Sequence, residues 1–193
     1  NGDIVSLGRA ANSYQFKLGM TSGSMFYVGD NSSNILIGFP YTGGITFNGD
    51  TAAANALSDY EEGSWTPTYV ASTTNPTFSS YGLQQGYYTK VGEMVYVSAR
   101  LRTNGYNSDG AGNLRIGGLP FASASIATLG SGGAISILGS LSFTSNPATG
   151  YFISGGSYIQ LNSNTLFSAA TVSALGTGTA NNDISFFGAY RAS

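Results

Sequence analysis

Between Glu93 and Thr103 apolar and polar side chains alternate residue by residue, with Val95, Val97, Ala99 and Leu101 on one parity and Met94, Tyr96, Ser98, Arg100 and Arg102 on the other. A period of two marks a strand with one face in a core and the other reaching solvent. The same period runs through Ile135, Ile137, Gly139, Leu141 and Phe143, which predicts a second strand with these residues on one face. Tyr158 to Ser163 repeats it, as does the run in which Ile184, Phe186, Gly188 and Tyr190 share a parity. Turn chemistry separates the runs: Asn104-Gly105, Asp109-Gly110, Gly117-Gly118, Asn146-Pro147, Gly155-Gly156 and Asn181-Asn182. These pairs supply the positive φ angles and local side-chain hydrogen bonds that tight turns need. Helix-forming runs of Ala, Leu, Glu and Lys are scarce. Several short strands joined by turns predict an all-β fold, a sandwich or a barrel.

The first part of the chain has a shorter rhythm. Tyr14-Gln15-Phe16, Met25-Phe26-Tyr27-Val28, Ile35-Leu36-Ile37 and Ile45-Thr46-Phe47 are small apolar pieces separated by polar turns such as Thr21-Ser22-Gly23-Ser24 and Asn48-Gly49-Asp50. No single piece is large enough to form a core, so the spacing predicts stacked rungs or interleaved chains in a shaft. Thr51 to Ser58, Ala-rich in its middle, is expected to be a short helix or linker. The division predicted is a β-rich shaft segment with its linker over 1–56 and a β-sandwich head over 57–193.

Charge changes the picture. Only 8% of the 193 residues are Asp, Glu, Lys or Arg, against roughly 25% in an average soluble domain. From Ile116 to Asn182, 67 consecutive residues carry no formal charge. Gly, Ser, Thr and Asn interrupt this stretch throughout, so it lacks the ~20 predominantly apolar residues of a membrane-spanning helix, and no membrane insertion is expected. A residue near a symmetry axis meets its own copies, where like charges repel, so an uncharged, hydroxyl-rich surface fits a symmetric oligomer. The other reading is a sparsely charged sandwich that stays monomeric. The net charge of −2 and the lack of a basic run argue against nucleic acid as a partner. With no cysteine and no histidine, disulfides, thiolate or imidazole metal sites and a histidine general base are all excluded, and no cofactor or metal is expected. Asn1-Gly2-Asp3 opens no signal-peptide pattern.

The string Leu57-Ser58-Asp59-Tyr60-Glu61-Glu62-Gly63-Ser64-Trp65-Thr66-Pro67 resembles the segment that opens the C-terminal head of many bacteriophage tail-fibre and tailspike proteins. Gly86-Tyr87-Tyr88-Thr89-Lys90-Val91-Gly92, Ile116-Gly117-Gly118-Leu119-Pro120-Phe121 and Ser185-Phe186-Phe187-Gly188-Ala189-Tyr190 are similar to later segments of the same family, in the same order. Ser58 and Glu93 depart from the family pattern, where Asp and Asn are common. The resemblance implies a homotrimeric, jelly-roll-like β-sandwich head on a shaft, at the distal end of a virion appendage. At the junction, Tyr60 and Trp65 offer large amphipathic surfaces to lock shaft to head, and Pro67 fixes the backbone leading into the next strand. Asp59, Glu61 and Glu62 crowd three carboxylates that Lys90, Arg100 or Arg102 of a neighbouring subunit would neutralise.

Tailspikes of this kind often hydrolyse polysaccharide, which makes the acid cluster a candidate glycosidase pair. Such pairs stand ~5–5.5 Å apart in retaining enzymes and ~6.5–9.5 Å apart in inverting ones. In an extended chain Glu61 and Glu62 point to opposite faces, leaving Asp59 with Glu61 as the pair that shares one. A solvated or salt-bridged junction is the alternative role for the same residues. No serine elbow is present, and Gly130-Ser131-Gly132-Gly133 reads as a hairpin turn without the Lys of a phosphate loop. Glycans are held by aromatic faces and planar polar groups on loops. Two stretches offer them: Asn104 to Asn113, with Tyr106, Asn107, Asp109 and Asn113, and Tyr81 to Gln85, with Tyr81 and Gln84. Each would otherwise be an ordinary polar hairpin. Asp30, Asp50 and Asp109 are candidate calcium ligands, though no dense ligand loop surrounds them.

The leading expectation is a non-enzymatic virion protein, the distal tip of a tail fibre or tailspike, extracellular after release. It would form a homotrimer, bind other tail proteins and adsorb to a bacterial surface glycan or outer-membrane protein. The alternatives are a tailspike fragment with carboxylate-based depolymerase activity, and a cap that only trimerises the shaft.

Overall fold

A computed structural model describes residues 2–8, 15–30, 32, 34–52, 55–108, 110–125, 131–163, 168–178 and 181–193. The described chain is all-β apart from short helical turns. It divides into two compact units, Asn1–Tyr60 and Glu61–Ser193, where the sequence places the division between residues 56 and 57.

The first unit is an antiparallel meander of β1 (Gly2–Gly8), β2 (Gln15–Met20), β3 (Met25–Asp30), β4 (Ile35–Pro40) and β5 (Thr46–Phe47), paired in chain order. The expected rungs would need parallel pairing between repeats. The turns prevent it. At Thr21–Ser24 the backbone closes on itself through Thr21 N to Met25 O, with Ser24 at φ 65°. After β3, Asp30 accepts hydrogen bonds from the backbone N–H of Ser32 and Asn34 and from the Asn34 side chain. Each turn folds an apolar piece back on its predecessor. Those same bonds hold the Asp30 carboxyl below its ordinary pKa, and Asp50 likewise caps Ala52 and Asn55. Both carboxylates thus serve turns, and Asp109 lies outside the described residues. The described residues contain no group of three or more acidic, Cys or His side chains placed to hold a metal ion.

The second unit is one nine-stranded antiparallel sheet. Its strands are β6 (Tyr60–Trp65), β7 (Thr68–Ala71), β8 (Thr77–Val91), β9 (Met94–Ser108), β10 (Leu114–Gly117), β11 (Ser131–Leu141), β12 (Thr149–Ile153), β13 (Tyr158–Asn162) and β14 (Asp183–Arg191). Their order across the sheet is β6-β8-β9-β14-β11-β12-β13-β10-β7. The outermost strands, β6 and β7, are consecutive in the chain and separated only by Thr66-Pro67. A flat sheet of nine strands would hold its edges far apart, at about 4.8 Å per strand, so the sheet curls until they meet. Side chains of β8 fasten the seam: Gln84 Nε2 donates to the Pro67 carbonyl at 3.0 Å, and the Tyr69 N–H donates to the Tyr81 hydroxyl at 3.2 Å.

The inner surface is the core. The alternation read on β9 holds: Val95, Val97, Ala99 and Leu101 are buried, as are Ile184, Phe186 and Tyr190 of β14. Cross-strand partners meet there, with Tyr190 opposite Val95, Phe186 opposite Ala99 and Ile184 opposite Leu101. Phe152 stacks on Tyr190 at 4.4 Å between centroids. On β11 the predicted common face breaks. The pairing of β11 with β14 slips by one residue between Ile137 and Gly139, and a one-residue slip sends every later side chain to the opposite face. Ile135 is buried, whereas Leu141 is 66% exposed. Ser131–Gly133, expected in a hairpin turn, begins this strand.

Gly86 of β8 is buried directly beneath the Trp65 indole, and a methyl group there would overlap Nε1, Cε2 and Cδ1 of the ring. Gly86→Ala is therefore expected to lower stability by about 1–3 kcal/mol through overpacking. A urea titration followed by the fluorescence of Trp65 measures this, and an unchanged midpoint contradicts the packing.

Candidate functional site

The residues singled out in the sequence fall at three places. Asn104–Ser108 and Tyr81–Gln85, expected in loops, are strand, because β8 and β9 run as one long hairpin of 15 residues a side. Register slips between Thr77 and Phe78 and between Tyr81 and Leu83 absorb the extra residues, and Gly105 takes φ 65° within the strand. Tyr106 packs on Phe78, at 6.1 Å between centroids, and Phe78 also meets Tyr81 and Tyr69. Tyr81 and Gln84 hold the seam. Asn107 is exposed and accepts a hydrogen bond from the Ser79 hydroxyl at 3.1 Å. The Asn113 N–H donates to Ser72 Oγ at 2.9 Å, joining the backbone after β7 to that before β10. Asp109 is outside the described residues.

The junction residues separate in the same way. Trp65 is 7% exposed and lies in the core of the second unit, edge-on to Phe186 at 6.3 Å. Tyr60 and Asp59 are exposed, Asp59 with a left-handed backbone at φ 57°. Glu61 accepts a hydrogen bond from the Tyr88 hydroxyl, which raises the Tyr88 pKa. Glu62 is exposed. Of the cations proposed to meet these acids, Arg100 is held by Asp183 of its own chain through two bonds, 3.1 Å from Nε and 2.8 Å from Nη2. Lys90 is buried, its ammonium 5.5 Å from the centre of the Phe121 ring.

The four segments that resemble the tail-fibre family come together. Trp65 from the first lies over Gly86 from the second and against Phe186 from the fourth. Phe121 from the third receives Tyr88 edge-on at 5.4 Å and the Lys90 ammonium, both from the second. Tyr190 from the fourth donates its hydroxyl to the Phe121 carbonyl at 2.9 Å. Residues far apart in sequence thus form one packed cluster inside the curled sheet.

The outer face is the opposite in character. On the outward parity of β8, β9, β14 and β11, Tyr87, Ser98, Phe187 and Ser136 stand in one row across the strands, with Thr89, Tyr96 and Ala189 in the next. Tyr87 and Tyr96 are 54% exposed and Phe187 50%. Two shallow grooves flank the rib made by Tyr96 and Phe187. One of about 230 Å³ runs beside Tyr87, Thr89 and Ser98, and one of about 410 Å³ beside Ala134, Ser136 and Ala189. Neither row contains an Asp, Glu, Lys or Arg. Along the strands the rows are bordered by two ion pairs within the chain, Arg100 with Asp183 and Arg191 with Glu93. The sequence places Tyr96 on the solvent parity of β9. The partners of Tyr96 come from β8 and β14, whose register no sequence pattern supplies.

Searches against protein-family models, curated proteins and solved structures returned no match to this chain.

Two expectations follow from the buried tyrosines. Tyr106→Ala removes half-buried aromatic packing and is expected to cost roughly 1–2 kcal/mol, which a melting curve reads; a residue serving only a receptor would leave the curve unmoved. Burial also pushes the phenol of Tyr190 up to about 12, and those of Tyr69 and Tyr81 above their ordinary value. The unfolded chain releases these protons near pH 10 while the fold retains them, so stability falls as pH rises. The contribution is complete below pH 10 and lost as pH rises through about 12. Urea midpoints across this window should drop, and Tyr190→Phe should blunt the drop.

Proposed function

We propose that this chain is the distal tip of a bacteriophage tail fibre or tailspike. It is a homotrimeric virion protein whose second unit, a jelly-roll-like head, adsorbs to a bacterial surface glycan or outer-membrane protein, while other tail proteins adjoin its first unit. The observation that carries this reading is the convergence of Trp65, Gly86, Tyr88, Phe121, Phe186 and Tyr190. Residues from all four segments with a family likeness over 57–190 meet in the core of the second unit. Packed into one cluster, they act together on how the curled sheet closes.

The acid cluster supports a structural role over depolymerase chemistry. Of the candidate pair Asp59 and Glu61, Glu61 is engaged by the Tyr88 hydroxyl across β6 and β8, a contact that suits a carboxylate fastening two strands. Adsorption of this kind gains its strength from several copies per virion acting together, so each head needs only modest affinity.

Light scattering on the purified chain should give a native mass three times 19.9 kDa, and labelled protein should adsorb to a subset of bacterial strains without releasing reducing ends from their capsular polysaccharide. A monomer at all concentrations refutes the trimeric tip; release of reducing ends moves the depolymerase reading ahead.

A further inference from the structure

We infer that the outer aromatic face of the second unit, centred on Tyr96 and Phe187, is where copies of this chain pack against one another. This rests on the homotrimer reading and adds to it the surface that does the packing.

Three features of the face identify its occupant. First, its centre is mostly apolar. Around the Tyr96–Phe187 rib the polar side chains are the phenols of Tyr87, Tyr88 and Tyr96 and the hydroxyls of Thr89, Ser98 and Ser136. The nearest planar amide, that of Gln85, donates to the Tyr87 hydroxyl at 2.5 Å. Glycan recognition needs planar acceptors and donors beside the aromatic ring, so the rib suits a protein partner.

Second, the face is electrically matched to itself. The two central rows are uncharged across β8, β9, β14 and β11, bordered by the Arg100–Asp183 and Arg191–Glu93 pairs along the strands and by exposed Glu62 on neighbouring β6. Around a threefold axis a residue meets its own copies, so a face that meets itself must lack net charge at its centre. A foreign partner imposes no such condition.

Third, the relief supplies both halves of a cyclic contact. A rib of two rings stands between two grooves on one face, so the rib of one copy has a groove on the next to enter. An aromatic side chain contributes ~150–250 Å² when fully covered, so three half-exposed rings supply on the order of 300 Å². A stable interface needs about 800 Å² per partner. Exposed Met94 and Leu141 add apolar area where the rows reach the ion pairs, Met94 opposite Arg191 and Leu141 opposite Asp183.

The test uses the absence of cysteine from the chain. Ser98→Cys places a single thiol in the central row, and Ser157→Cys places one in the exposed turn between β12 and β13. In the native trimer the thiol at position 98 should react with maleimide at least about ten-fold more slowly than that at 157, because interface centres exclude water. Adding Phe187→Glu should reduce the native mass to that of one chain and equalise the two rates. Far-ultraviolet circular dichroism should stay unchanged, since Phe187 points away from the core. Should Phe187→Glu unfold the protein, the labelling ratio without it still decides. A trimer in which both thiols react equally fast overturns the inference and leaves the trimeric tip standing. A wild-type chain that is monomeric at every concentration overturns both.

Discussion

Everything in the second unit depends on the seam where β8 meets β7 and the link between β6 and β7. Nine strands in one sheet have two edges, and unpaired edges are both a loss of hydrogen bonds and an invitation to aggregate. Here the edges are brought together by a two-residue link, with the buried Pro67 at its centre. The curl this requires sets the curvature of β8 and β9, and with it the register slips at Thr77/Phe78 and Tyr81/Leu83. Trp65 sits at the end of β6 with its ring on Gly86, so the bulkiest side chain of the unit occupies the point where the sheet turns inward. Glycine there lets two backbones approach with an indole between them, which no larger residue permits. The seam and the core are one packing problem, solved by the same few residues.

This accounts for which parts of the fold could be read from the sequence. Strand character was legible wherever the pattern was local: β9 and β14 show it without ambiguity, because each strand has one face in the core and one outside. The all-β class follows from such runs together with the scarcity of helix formers. Short apolar pieces at regular intervals in the first unit suit a stack of rungs, interleaved chains and a meander alike, and within the chain they form a meander. What decided between them was the hydrogen bonding of individual turns, such as the three bonds accepted by Asp30. On β11 a single slipped residue separated Ile135 from Leu141, and no periodicity reveals where a strand will bulge.

The candidate site was less legible still. Asn-Gly and Gly-rich stretches carry the signature of loops, where receptors bind, but Asn104-Gly105 continues through a long strand with Gly105 at φ 65°. Tyr81, Gln84 and Tyr106 have the chemistry of sugar-binding side chains. The same chemistry, a ring with a polar tip or an amide on a flexible stem, is what fastens one strand to another across a curled sheet. The outward face of β8, β9, β14 and β11 was only half visible in advance. Tyr96 stood out on β9, but its grouping with Tyr87 and Phe187 required the pairing of three strands distant in sequence.

The position of β14 has a consequence for how the protein is made. It lies between β9 and β11 in the middle of the sheet, yet it follows every other strand of that sheet in the chain. Until Asp183–Arg191 emerges from the ribosome, β9 and β11 have an open edge between them, and Val95, Val97 and Leu101 lack Tyr190, Phe186 and Ile184 to cover them. The second unit cannot be assembled progressively during synthesis: its central contacts are long-range and form last, which makes folding slow. The nascent chain thus waits with its stickiest strands uncovered, and a chain cut short before residue 183 would lose the strand that joins the two halves of the sheet.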